Sequence, residues 1–125
     1  MAAPARTVVV VEDDTGMRES LARMLRAAGF TVRCHASAEE YLQSEGTASI
    51  QCLVLDVHLP GSSGLELYEA LRAVGACPPA VFITALDEPG VRDRAHAMGA
   101  AALLSKPFAG QRLVGAVVRA IDALP

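Results

Sequence analysis

The sequence predicts a doubly wound α/β domain built on a parallel sheet, and three observations carry that expectation. Short apolar runs alternate with stretches of helical period, the pattern of repeated βα units. The first run, Val8 to Val11, is continuously β-branched, as suits a central strand covered on both faces. Four runs also end in chemically capable residues: Val8–Val11 in Glu12-Asp13-Asp14, Leu53–Leu55 in Asp56, Val81–Ile83 in Thr84-Ala85, and Ala101–Leu104 in Ser105-Lys106-Pro107-Phe108. The 125 residues suit one domain, residues 1–125, with residues 1–6 as a loose terminus.

Taken in order, Val8 to Val11 is the first strand. Met17, Leu21, Met24, Leu25 and Ala28 then fall on one helix face, and Gly29 ends that helix as a left-handed cap. Thr31 to His35 alternates polar and apolar, so it is expected at a sheet edge. Ser37-Ala38-Glu39-Glu40 has the spacing of a capping box and opens a short helix through Leu42. Leu53 to Leu55 is the next central strand, and His58-Leu59-Pro60-Gly61-Ser62-Ser63-Gly64 is loop chemistry. Leu67, Leu71 and Val74 mark a third helix, which stops before Pro78-Pro79. Val81 to Thr84 is a strand. Val91, Ala95 and Met98 stripe a fourth helix whose other face carries Arg92, Asp93, Arg94 and His96, and Gly99 ends it. Ala101 to Leu104 is the last strand; Leu113, Val117, Ala120, Ile121 and Leu124 make the last helix.

Composition narrows the function. The formal charge is −3 and no basic patch is evident, so the chain itself is not expected to bind nucleic acid. No apolar stretch approaches the roughly 20 residues that span a bilayer, and Met1 to Ala5 lacks the features of a signal peptide. Cys34, Cys52 and Cys77 are odd in number and outside metal-ligand spacing, which fits reduced thiols and a cytoplasmic location.

In a doubly wound sheet, ligands bind beyond the carboxyl ends of the strands. There, Glu12, Asp13 and Asp56 form a carboxylate cluster, joined by the Thr84 hydroxyl and by Lys106, the only lysine. Three carboxylates in one crevice raise the pKa of at least one of them, and Mg²⁺, which prefers oxygen ligands, relieves the repulsion. A compact ammonium balances charge on an arriving phosphoryl group, a task that arginine's planar fork does not replace. Asp14 follows the acidic pair and is expected to cap the first helix.

The pieces Val10-Val11-Glu12-Asp13, Asp56-Val57-His58-Leu59-Pro60 with Gly64, Thr84-Ala85, and Lys106-Pro107-Phe108 resemble the receiver domain of two-component response regulators, from Thr7 to Leu124. The resemblance implies a flavodoxin-like (βα)5 fold with strand order 2-1-3-4-5. It implies that Asp56 accepts a phosphoryl group from a sensor histidine kinase. It makes Asp13, Asp56 and the His58 backbone carbonyl direct Mg²⁺ ligands, with Glu12 holding a metal-bound water. Lys106 pairs with Asp56 and then with the phosphoryl group. Thr84 donates its hydroxyl, helped by backbone N–H groups near Val57 and Ala85, and the Lys106–Pro107 bond is cis. Cys34 to Leu42 resembles the branch that carries a C-terminal helix-turn-helix for DNA, so control of transcription through an output domain is implied, with phosphorylation-dependent homodimerisation as one form of response.

Two positions depart from the family pattern. Leu103 stands where many relatives carry Tyr or Phe; a leucine cannot make the ring movement that accompanies motion of the threonine hydroxyl. His58 is not a common choice two residues after the acceptor. Two other classes share part of this pattern. A haloacid-dehalogenase-type phosphatase also uses an aspartate nucleophile on such a sheet, but normally needs a second Asp where His58 stands. An interaction-only pseudo-receiver would not need Asp56, Asp13 and Lys106 together.

Overall fold

The computed structural model describes residues 6–44, 49–75, 77–85 and 88–124. Residues 1–5 of the expected loose terminus lie outside that set. Its sixth member, Arg6, is engaged: the guanidinium sits 4.9 Å from the centre of the Phe30 ring and the carbonyl accepts the Thr31 N–H at 2.9 Å.

The order is β1 Thr7–Val11, α1 Thr15–Ala27, β2 Thr31–His35, α2 Ala38–Ser44, β3 Cys52–Asp56, α3 Gly64–Ala73, β4 Ala80–Thr84, α4 Pro89–Ala97, β5 Ala102–Ser105 and α5 Gly110–Asp122. All pairings are parallel, and the sheet runs β2-β1-β3-β4-β5. β2 lies at an edge, as its alternation predicts. β1, β3 and β4 are buried along their whole length, which explains why they read as continuous apolar runs.

Alternation along the strands divides two cores. Val8, Val10, Cys52, Val54, Val81 and Ile83 face α1 and α5, meeting Leu21, Leu25, Leu113 and Val117. Val9, Val11, Leu53, Leu55 and Phe82 face the other way, toward Tyr41 of α2, Leu67 and Leu71 of α3, and Ala95 of α4. Each fully buried Val or Leu contributes about 1.5–3 kcal/mol, so these layers hold the strand ends rigidly enough to support a polar site. Among the described residues, no helix is long and apolar enough to cross a membrane. Cys34, Cys52 and Cys77 are all free thiols.

Several boundaries differ from the sequence reading for local reasons. α3 starts at Gly64, not near Leu67, because Ser63 caps it: its hydroxyl accepts the Glu66 N–H and the Glu66 carboxylate accepts the Ser63 N–H, both at 3.1 Å. The buried face therefore includes Leu65 and Tyr68, while Val74 becomes the exposed C-cap. At α2, Ser37 accepts the Glu40 N–H at 3.0 Å, but Glu40 reaches back to the Ala36 N–H at 3.4 Å. α2 continues to Ser44. α5 ends at Asp122, leaving Leu124 exposed. Gly29, just past α1, has φ +98°, as the left-handed cap requires.

Candidate functional site

The crevice is assembled from the carboxyl ends of β1, β3, β4 and β5. Sheet register does most of the placement. Val11 pairs with Leu55, Asp56 with Ile83, and Thr84 with Ser105, so the residues that follow each strand emerge side by side.

Glu12 is almost wholly buried, with 1% exposure, and Asp56 is 4% exposed, whereas Asp13 next door is exposed. One carboxylate oxygen from each of the three lies within 4.8 Å of the others. Lys106 reaches across from β5 and its Nζ donates to both buried acids, to Glu12 Oε1 at 2.9 Å and to Asp56 Oδ2 at 3.0 Å. The pairing with Asp56 follows the expected pattern; the direct pairing with Glu12 is an addition to it. Its signal in the sequence is only that a lone lysine faces three acids.

The charges in this group shift one another. Burial is the largest influence on Glu12 and the neighbouring Asp56 adds to it; against the opposing pull of Lys106, the Glu12 pKa is pushed up to about 7. The expectation that one carboxyl is raised is met, with desolvation ahead of repulsion as the cause. For Lys106, burial works against the charged form, but the bonds to Glu12 and Asp56 outweigh it and the pKa is raised.

The backbone around the acids is fixed locally. Arg18 of α1 donates to the carbonyls of Glu12 at 2.9 Å and Asp13 at 3.3 Å. Asp14 accepts the Met17 N–H at 2.7 Å as N-cap of α1, the role read from sequence. Asp56 Oδ1 accepts the His58 N–H at 2.8 Å. The Val57 N–H, expected near the phosphoryl group, donates instead to the Ile83 carbonyl at 2.9 Å. The β3–β4 ladder extends one residue past the strand and consumes that donor, so the N–H that faces the Asp56 carboxylate belongs to His58. Gly64 packs its backbone against the Asp56 carbonyl, where a Cβ would fall well inside contact distance.

On the β4–β5 side, Thr84 is fully buried at its strand end, and its carbonyl accepts the Lys106 N–H at 2.8 Å. The Lys106–Pro107 peptide bond is cis. Ala85 is exposed at the start of the following loop. Leu103 pairs with Phe82 and is half-buried against the core layer facing α2, α3 and α4. The side chain of His58 points outward, with its Nε2 4.0 Å from Glu88 Oε1.

All three donors of the carboxylate cluster are hard oxygens, a set that fits Mg²⁺ and not a thiolate- or imidazole-seeking metal. One exposed and two buried acids also leave an open side for water and for an incoming group.

Sheet order and crevice together define the class, and the chain belongs to the response regulator receiver domain family, which it matches over residues 8–118. Nodulation protein W of Bradyrhizobium diazoefficiens is 44% identical over 115 residues, covering 92% of this chain and 51% of that protein. The transcriptional regulatory protein FixJ of Azorhizobium caulinodans is 38% identical over 110 residues, covering 88% and 52%. Among solved structures, FIXJ-N superposes with a TM-score of 0.88 at 33% identity, covering 100% of this chain and 98% of that one. The response regulator StyR superposes at 0.87 with 41% identity, covering 94% and 60%. The chain thus spans about half the length of the curated relatives it matches.

Proposed function

We propose that Asp56 is the phosphoacceptor of this receiver domain and that a cytoplasmic sensor histidine kinase supplies the phosphoryl group. The supporting observation is the convergence of Lys106 on Asp56 and Glu12, with Asp13 at the open side. One oxygen of Asp56 attacks phosphorus in line, the P–N bond to the kinase's phosphohistidine breaks, and the imidazole keeps the electron pair and takes up a proton. Lys106 moves its hydrogen bonds to the phosphoryl oxygens, where negative charge accumulates. Thr84 turns its hydroxyl to another, and the backbone N–H groups of His58 and Ala85 complete the cradle.

Asp13, Asp56 and the His58 carbonyl would hold Mg²⁺ directly, and Glu12 through water. When bound, the ion supplies charge neutralisation for the three carboxylates and the incoming oxygens. Water later attacks phosphorus in the same crevice, the P–O bond to Asp56 breaks, and inorganic phosphate leaves with the Asp56 carboxylate restored, so the domain turns over only its own phosphoryl group. Movement of Thr84 shifts an existing equilibrium at α4, β5 and α5, and Leu103 takes part without the ring movement of an aromatic. The whole of residues 1–125 acts as one receiver unit. Its output is control of transcription through a DNA-binding domain outside this chain, in keeping with relatives named as transcriptional regulatory proteins.

A small acyl phosphate offered with and without Mg²⁺ separates this reading from its rivals. Stable, Mg²⁺-dependent gain of one phosphoryl group is the expected result. Turnover of simple phosphate esters would indicate a phosphatase, and no reaction an interaction-only domain.

A further inference from the structure

The first turn of α2 carries two adjacent acids with different partners. Glu40 serves its own helix end: its N–H donates to Ser37 Oγ at 3.0 Å, and its Oε1 accepts the Ala36 N–H and lies 3.4 Å from His35 Nδ1. Glu39 is turned about 100° around the helix and reaches across to the loop after β3. There its Oε1 accepts the Ser62 N–H at 3.1 Å, a bond between residues 23 apart in sequence.

The loop is shaped to receive it. Gly61 has φ +74°, a conformation that side chains disfavour. A Cβ at Gly61 would also stand 2.8 Å from Glu39 Oε1, so the same glycine provides the turn and the room for the carboxylate. The bond from Ser62 holds the Glu39 carboxyl below its ordinary range, so the acceptor is charged at neutral pH. The loop's near end is fixed by Val57 on Ile83 and by His58 on Asp56; its far end is fixed by the Ser63–Glu66 box. Glu39 ties the middle of the loop to α2.

We propose that Glu39 is a positioning residue for the phosphorylation site, holding the His58–Ser63 loop in the conformation that presents the His58 carbonyl to Mg²⁺. This rests on the reading of that carbonyl as a ligand. Glu39 touches neither metal nor phosphoryl group. It acts by restricting the loop's alternatives before binding, which lowers the ordering cost of binding.

The test titrates Mg²⁺ by calorimetry into the full chain and its variants, and follows exchange of the Ser62 amide by NMR in the metal-free protein. Glu39→Ala is expected to weaken Mg²⁺ by roughly three- to ten-fold, the range for loss of one ordinary hydrogen bond, as suits a charged pair screened at an exposed site, and to speed Ser62 exchange. Glu39→Gln keeps the length and an acceptor oxygen, and restores most of both. Glu40→Ala breaks the α2 terminus without touching the loop, and leaves both near wild type. If Asp13→Ala abolishes Mg²⁺ binding while Glu39→Ala matches Glu40→Ala, Glu39 has no positioning role. If the wild type shows no saturable Mg²⁺ binding, the metal-site reading fails and the role proposed for Glu39 fails with it.

Discussion

Glu12 and Asp13 are neighbours in the chain and have opposite environments: Glu12 is sealed beneath Lys106, and Asp13 is open to solvent. On the proposed reading the pair divides its work, with Asp13 meeting the cation directly and Glu12, held by Lys106, meeting it through water. Asp14, third in the run, is spent on the α1 N-cap. Asp13→Ala is expected to remove most Mg²⁺ affinity. Asp14→Ala should leave it near wild type and cost about 1 kcal/mol of stability. Calorimetric titration beside urea unfolding reads both, and a larger metal loss in Asp14→Ala would reverse the assignment.

Burial of Glu12 also has a pH signature. Its folded pKa of about 7 stands above its ordinary 4.5, so the folded state keeps a proton that the unfolded chain has lost. Stability of the metal-free protein should accordingly fall as pH rises from about 4.5 to about 7, by on the order of 1–3 kcal/mol. The raised pKa of Lys106 adds no slope there, because the lysine is protonated in both states. Glu12→Gln should flatten the profile; an equal slope in both proteins would place its origin elsewhere. Saturating Mg²⁺ favours the ionised acid and should offset the decline.

At the scale of elements, the strands were legible because burial on both faces leaves an unmistakable record: Val8 to Val11, Leu53 to Leu55 and Val81 to Ile83 are all fully buried. The helix starts were harder. The sequence places α3 a turn late because Ser62-Ser63-Gly64 looks like loop, although the capping box that opens the helix starts there, at Ser63, and closes on Glu66. The acids, Lys106 and Thr84 are legible because each ends a strand or comes directly after one. Two relations are not: the Val57 N–H is consumed by the ladder and Glu39 crosses to Ser62, and both depend on how elements meet in space. Gly64 stands out in the sequence as part of the motif, but its close approach to the Asp56 carbonyl is a third relation visible only in space. Gly64→Ala should push the Asp56 carbonyl out of place or move α3, costing on the order of 2–3 kcal/mol. A urea midpoint equal to wild type would mean that the α3 start shifts freely.

For the whole molecule, the two core layers separate the buried crevice from the outer helix faces. α4 is the least anchored helix, with Ala95 its one buried residue. Its outer charges include Arg94, 3.7 Å from Glu69 across an exposed pair. Such a face suits a reversible contact. Phosphorylation is expected to raise self-association through α4, β5 and α5, and added salt to weaken it, since exposed charges are screened over about 8–10 Å. Analytical ultracentrifugation with a phosphoryl mimic, on wild type and an Arg92→Ala/Arg94→Ala double variant, reads this directly. An unchanged mass on activation would remove the dimer and leave docking to another domain as the response.

All of this depends on one carboxylate. Intact-mass spectrometry after exposure to a small acyl phosphate and Mg²⁺ should show one added phosphoryl group on the wild type and none on Asp56→Asn, which keeps the side chain's shape without its nucleophilic charge. Equal labelling of the two proteins would contradict the account at its centre.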